Sequence, residues 1–244
     1  MKKSHRDRNI HSRKWPGRRT LLVVALEGLL LGSLPLVSGS GSDMSQISDL
    51  QAYEVPAKHA TVRVQPPELK YDALKDLDSM DRMLLFRDII EKTEARYDLE
   101  EGWLAALIMQ ESLGDPLALN WTDDGGAGLG MFQPGTARDL GMKVYGTSNR
   151  TGPDYAHGRE LRRLVKEYDF DIEGLRKIDQ RFDPEISIDK MGAYLSWLNS
   201  KYPDMRMAIS AYNVGQNGNV HVNSKHVKGV RTYRSEYMEV IAEK

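Results

Sequence analysis

The chain has 244 residues, 40% of them hydrophobic and 28% charged, a globular composition long enough for one substantial domain with an export segment and a tether. It contains no cysteine, which excludes disulfides, thiolate zinc sites, a cysteine nucleophile and a lipoprotein-type anchor. The net charge of -1 hides an asymmetry: residues 1–40 carry eight Lys or Arg against Asp7 and Glu27, and the mildly acidic remainder argues against nucleic acid as a partner.

Met1 to Thr20 is basic, and Leu21 to Gly39 is apolar apart from Glu27 and Pro35. Residues 1–40 therefore read as a signal peptide or an uncleaved inner-membrane anchor. Either form exports the body, to the periplasm or cell envelope. Residues 41–80 are polar, with Pro56, Pro66 and Pro67, and read as a tether with one short helix near its end. From Asp81 the pattern turns helical, with Met83, Phe86, Ile90, Thr93 and Tyr97 on one face, so the domain is expected to span 81–244.

Asp98 and Glu101 form a capping box ahead of Leu104, Leu107, Ile108 and Glu111, which recur at i, i+3, i+4 and i+7. That register lines a carboxylate up with a buried face. Loss of hydration raises its pKa until it holds a proton near neutral pH, which suits a general acid. Gly114 and Pro116 should end the helix, leaving Glu111 in the last turn, where the dipole further disfavours ionisation. A salt-bridged Glu at a helix end would read the same way.

Thr122 to Phe132 is rich in glycine, so its backbone can approach a ligand closely. No strand precedes it and no GKS or GKT triplet follows, so it is not a nucleotide loop. A short helix from Pro134 ends near Gly141. After the punctuated stretch 142–181, Asp183 and Pro184 start a helix carrying Ile188, Met191, Leu195 and Leu198, which stops before Pro203. Met205, Ala208, Ile209 and Tyr212 lie on the next, closed by Gly215, and Tyr237 and Ile241 on the last. The fold class is mainly α. The six histidines offer no pair at metal-ligand spacing on one helix; His221 and His226 read as a surface loop, and neither metal nor cofactor is expected.

Three of these segments, taken together, resemble one family. Ala106 to Ser112, Gly130-Met131-Phe132-Gln133 and Ala211-Tyr212-Asn213-Val214-Gly215 resemble the ES, GLMQ and AYNAG signatures of the soluble lytic transglycosylase domain, which has the goose-type lysozyme fold. Phe182-Asp183-Pro184, Gly192 and Tyr194-Leu195 resemble its FDP helix, and Arg234 to Ile241 its terminal YV segment. The resemblance covers about residues 83 to 241. Two features depart from it: Pro134 follows Gln133 directly, and the stretch 142–181 is longer than the family's usual connection.

The resemblance implies peptidoglycan glycan strands as substrate and Glu111 as the single acid and base. It further implies that Ser112 bonds near Glu111, although a helix-end hydroxyl satisfying a carbonyl is the local alternative. Gly130, Met131, Phe132, Gln133, Tyr212 and Asn213 would line the cleft, and Tyr237 would join them. A hydrolase of goose-lysozyme type remains a rival, with Asp115, Asp123 or Asp124 placing the water. So does a wall-binding protein without catalysis.

Overall fold

The computed structural model describes residues 70–243; the export segment and most of the tether read from the sequence lie outside them. The described residues are mainly helical, as the patterns predict. They contain no strand beyond two isolated bridges, Leu119 with Ala127 and Ala127 with Phe132. No helix among them is long and apolar enough to cross a membrane.

Helices α1 (Tyr71–Asp76), α2 (Ser79–Leu84) and α3 (Arg87–Arg96) lead into α4 (Trp103–Ser112), around which the larger core is assembled. The residues Trp103 through Met109 are each no more than 8% exposed. One apolar face is thus too narrow a description. Ala105 and Ala106 stand where a surface helix would carry polar residues, and α4 is enclosed by α2, α3, α8 (Pro184–Lys201) and α10 (Lys225–Ala242).

An enclosed helix needs internal partners for the free amides of its first turn. The capping box read from the sequence does not supply them. Asp98 stands outside the helix at φ 54, Gly102 precedes it at φ 83, and the N-cap contributes no side-chain bond. The cap comes from α3 instead: Glu94, 3% exposed, accepts from the Gly102 amide at 3.0 Å and the Leu104 amide at 2.8 Å. Gly102 is required twice, by its positive φ and by the 2.9 Å that would separate a Cβ there from Met238 Sδ on α10. At the other end the left-handed turn begins at Leu113, φ 54, one residue before the expected Gly114, which follows at φ 72.

The later helices begin and end where their signals stand. Asp183 accepts from the Ile186 amide at 3.1 Å and Pro184 opens α8, while α9 (Met205–Val214) closes at Gly215, φ 78. Between α4 and α8 the chain forms a loop, α5 (Pro134–Asp139), α6 (Tyr155–Glu167), α7 (Ile172–Ile178) and a 3-10 turn at Gln180–Phe182.

These pieces build a second core. Leu117 and Ala127 of the loop pack with Leu161, Leu164, Leu175 and Phe182, and with Leu74 of α1. Tyr71 stacks on Phe170, ring centroids 5.3 Å apart and planes 1° from parallel, and its hydroxyl donates to Asp115 Oδ2 at 3.0 Å. Tyr71, Leu74, Leu77 and Met80, in the stretch read from the sequence as the end of the tether, thus pack onto the two cores. Six residues are too few for helical periodicity to register, and only docking reveals which face of α1 is apolar.

Leu74→Ala is expected to destabilise the domain by about 2–4 kcal/mol, the usual cost of truncating a buried leucine. Asp72→Ala, at a side chain 96% exposed, is expected to change stability by no more than about 0.5 kcal/mol. Urea unfolding measures both, and equal midpoints would return α1 to the tether.

Candidate active site

Glu111 projects from the last turn of α4 with 12% of its side chain exposed. Its Oε1 is enclosed and has no hydrogen-bond partner. Burial pushes the carboxyl from 4.5 to about 8, as the register of the helix requires. Facing it is His226, in the first turn of α10, with Nε2 3.5 Å from Oε1 and 11% of its side chain exposed. That nitrogen also lacks a hydrogen bond, and burial lowers the imidazole from 6.5 to about 4. The separation stands at the outer limit of a hydrogen bond.

His226 corrects the surface-loop reading. Ser224 accepts from the Val227 amide at 3.2 Å, so the helix starts at Lys225 and turns His226 inward, while His221 stays exposed. One turn later Gly229 lets α10 lie directly against Gln110, where a Cβ would collide with the Gln110 amide. A signal existed in the sequence: His226, Val230, Tyr233 and Tyr237 fall at i, i+4, i+7 and i+11, a helical face preceded by a serine cap.

Tyr212, whose hydroxyl feels the charge of Glu111, connects this pair to the glycine-rich loop. Tyr212 of α9 donates its hydroxyl to the Gly130 carbonyl at 2.9 Å. Its ring sits between Phe132, 5.9 Å away, and Tyr194, 5.3 Å away. Burial, with a smaller contribution from Glu111, raises the Tyr212 hydroxyl well above its ordinary value, so it stays a donor. Gly130 has no room for a side chain, since a Cβ would lie 2.8 Å from Met191 Cγ and 2.9 Å from the Tyr212 oxygen. Met131 follows with φ 48. Gln133, extended at ψ 150, leads into Pro134 at the start of α5, and its Oε1 is buried without a partner.

The loop is carried by the long stretch 142–181. Arg181, fully buried, pairs with the equally buried Asp179 at 2.7 Å and donates to the carbonyls of Gly125 at 2.9 Å and Phe132 at 3.1 Å. Its Nη2 lies 2.9 Å from His157 Nε2 of α6. Arg162 of α6 pairs with Asp123 and donates to the Asn120 carbonyl at 3.1 Å. This stretch is a scaffold for the glycine-rich loop.

Tyr212, near enough to Glu111 to feel its charge, thus holds Gly130 with Phe132 beside it, and His226 faces Glu111 from α10. Ser112 does not join them. Its hydroxyl donates to the Ile108 carbonyl at 3.0 Å, which is the helix-end role. Asn213 is exposed on the last turn of α9. Tyr237 is fully buried beside Gly102, at the start of α4, and so stands at the far end of that helix from Glu111. The nine residues between them correspond to about 13 Å of helix.

The carboxylates that could have placed a water are otherwise engaged. Asp115 accepts from Tyr71 and, at 2.9 Å, from the Leu117 amide. Asp123 is held by Arg162. Asp124 accepts from Asn120 Nδ2 at 2.8 Å and the Gly126 amide at 3.0 Å.

The raised carboxyl of Glu111 has a consequence for stability. Its folded pKa, about 8, exceeds its unfolded value of 4.5, so the folded state binds the proton more tightly. Its contribution is full below pH 4.5 and is lost as pH rises through 8. The melting temperature of Glu111→Gln, which cannot ionise, is expected to fall less than that of the wild type between pH 5 and pH 9, reflecting a stability difference of roughly a few kcal/mol at the alkaline end. Parallel melting curves would place Glu111 in a wetter site than its burial implies.

Residues 88–157 and 159–232 match the family model described as the transglycosylase SLT domain. No curated protein matches the chain. The matched segments contain Glu111, the loop Gly130 to Gln133, Tyr212, Asn213 and His226, but not Tyr237. They take in more than half of the chain, and the protein belongs to the transglycosylase SLT domain family, the peptidoglycan-acting lytic transglycosylase domain of the lysozyme-like superfamily.

Proposed function

We propose that this protein is a lytic transglycosylase that cleaves the β-1,4 bond between N-acetylmuramic acid and N-acetylglucosamine, leaving a 1,6-anhydromuramoyl end. Glu111 acts as both acid and base. The observation that carries this reading is a solitary buried carboxyl, raised to about 8, while Asp115, Asp123 and Asp124, the candidates for placing a water, are each engaged elsewhere.

At neutral pH Glu111 holds a proton and gives it to the leaving glycosidic oxygen. The carboxylate so formed takes a proton from the muramoyl 6-hydroxyl, whose oxygen closes on the anomeric carbon. One proton leaves Glu111 and one returns, with no water consumed. A hydrolase would need a second carboxylate to place water. Asp115, Asp123 and Asp124 are bound to Tyr71, Arg162 and Asn120 respectively, which favours the intramolecular route. A glycan-binding protein without catalysis would gain nothing from burying an unpartnered acid at a cost in alkaline stability.

The substrate strand runs along the loop Gly130 to Gln133, past the face of Glu111 turned away from His226, with Tyr212 holding the loop and the exposed Asn213 available to the sugar. The basic and apolar segment 1–40 directs the domain to the cell envelope, tethered to the inner membrane if the segment is retained.

Glu111→Gln is expected to keep the fold, because the amide nearly matches the acid in shape. Turnover of purified sacculi should fall by about 10⁴ or more, at or beyond the upper end for an acid–base group. Wild-type kcat/KM should decline as pH rises through about 8, as the proton on Glu111 is lost. Mass spectrometry should find wild-type muropeptides lighter by one water than hydrolysis products. Reducing muramic ends would replace the transglycosylase by a hydrolase, and substantial activity in the Gln variant would mean that another group supplies the proton.

A further inference from the structure

The cleft side of Glu111 belongs to the substrate, but the reaction as proposed assigns nothing to its enclosed side. There one atom faces it, His226 Nε2 at 3.5 Å from Oε1. Neither atom has another hydrogen-bond partner. Two buried polar atoms without partners, aimed at each other, are costly to keep unless they engage at some stage of the cycle. Catalytic contacts are often long in the free enzyme and tighten around the substrate.

The two nitrogens of His226 differ. Nε2 is enclosed, whereas Nδ1 is not among the buried atoms left without a partner, and the 11% of the side chain still exposed gives the ring an outlet to water. Water at Nδ1 can accept or donate, so the ring can carry its proton on Nε2. An N–H at that position donates to Oε1. It thereby keeps the carboxyl proton off Oε1 and on Oε2, the oxygen left for the cleft.

We propose that His226 is a positioning residue for Glu111: its Nε2–H engages Oε1, directs the acid proton to Oε2, and stabilises the carboxylate once that proton has gone to the leaving oxygen. This rests on the reading of Glu111 as the acid and base. No proton leaves His226 in the cycle. Oε2 loses one to the glycosidic oxygen and regains one from the 6-hydroxyl, while the bond from Nε2 to Oε1 shortens and then relaxes.

The electrostatics agree with a neutral donor. Burial alone accounts for both shifts, and between pH values of about 4 and 8 it leaves His226 uncharged and Glu111 protonated. Of the groups around the pair, Tyr212 of α9 faces Glu111 and donates to Gly130. Gln110 of α4, against Gly229, is uncharged. On α10 itself Lys225 and Lys228 are exposed. Among the described residues no fixed charge competes with the histidine for the carboxyl.

Two variants of the full chain separate this role from packing. His226→Phe keeps an aromatic ring but has no donor. It is expected to lower kcat on sacculi by about 10- to 100-fold, the contribution of one hydrogen bond to a charged group, with KM little changed. Because the ionised form of Glu111 loses its donor, the alkaline limb of kcat/KM should move to higher pH. His226→Gln restores an N–H near the same place and is expected to recover most of the rate and the wild-type limb. Wild-type kcat in the Phe variant, or equal losses in both variants with an unmoved limb, would overturn the proposal and leave His226 a packing residue. Product masses are recorded in parallel: reducing-end products from the wild type would defeat the proposed reaction, while the shift of the alkaline limb still tests the contact between His226 and Glu111.

Discussion

A helix buried on every side must find partners inside the protein for the amides of its first turn, and in this domain Glu94 meets that demand. Its carboxyl reaches from α3 to the amides of Gly102 and Leu104. Burial raises the acid to about 7 even though those amides favour its charged form. The cap lets WLAALIM pass through the core without a polar face, so that the last turn of α4 delivers Glu111 to the one place where the helix emerges. The two ends of α4 are complementary: an acid that satisfies amides at one, an acid left without a partner at the other.

The glycine-rich loop depends on a different buried group. The loop from Asn120 to Gln133 closes part of its backbone on itself, as between Ala127 and Phe132, but with almost no regular secondary structure it also draws on side-chain partners from outside. Arg181 supplies them for Gly125 and Phe132 while its own charge is balanced by Asp179. Removing one member of such a pair is far worse than removing both. The long stretch 142–181 is retained as the platform that fixes the shape of the loop, and α1 seals its outer side through Leu74 and Tyr71.

Placing function at a helix end inside a core has a thermodynamic cost. Glu111 and His226 are both shifted in the direction that removes charge, one up and one down, and both are left without hydrogen bonds in the free protein. Tyr212 is pinned by the Gly130 carbonyl and two aromatic neighbours, so it cannot turn to satisfy either of them. This rigid frame around an unsatisfied acid is preorganisation, in which the polar partners of the reaction are held in position before the substrate arrives.

Local patterns determined a good deal by themselves. The helical class, the α8 start at Asp183-Pro184, the α9 stop at Gly215 and the burial of Glu111 all follow from interactions between residues within a few positions of each other, which sequence spacing encodes directly. The family signatures around Glu111, Gly130 and Tyr212 were legible for the same reason. What the spacing could not carry was the choice among equivalent partners. Asp98 had the right position for a cap, yet Glu94 took the role because α3 folds back over the start of α4. Tyr237 and His226 lie on one face of α10, and only the alignment of that helix along α4 sends the tyrosine to Gly102 and the histidine to Glu111. Likewise a short helix near the end of the tether is legible in the sequence, but its packing onto the second core through Leu74 and Phe170 is not. Local chemistry decides which groups can cap, bury or titrate, and long-range packing decides which of them meet.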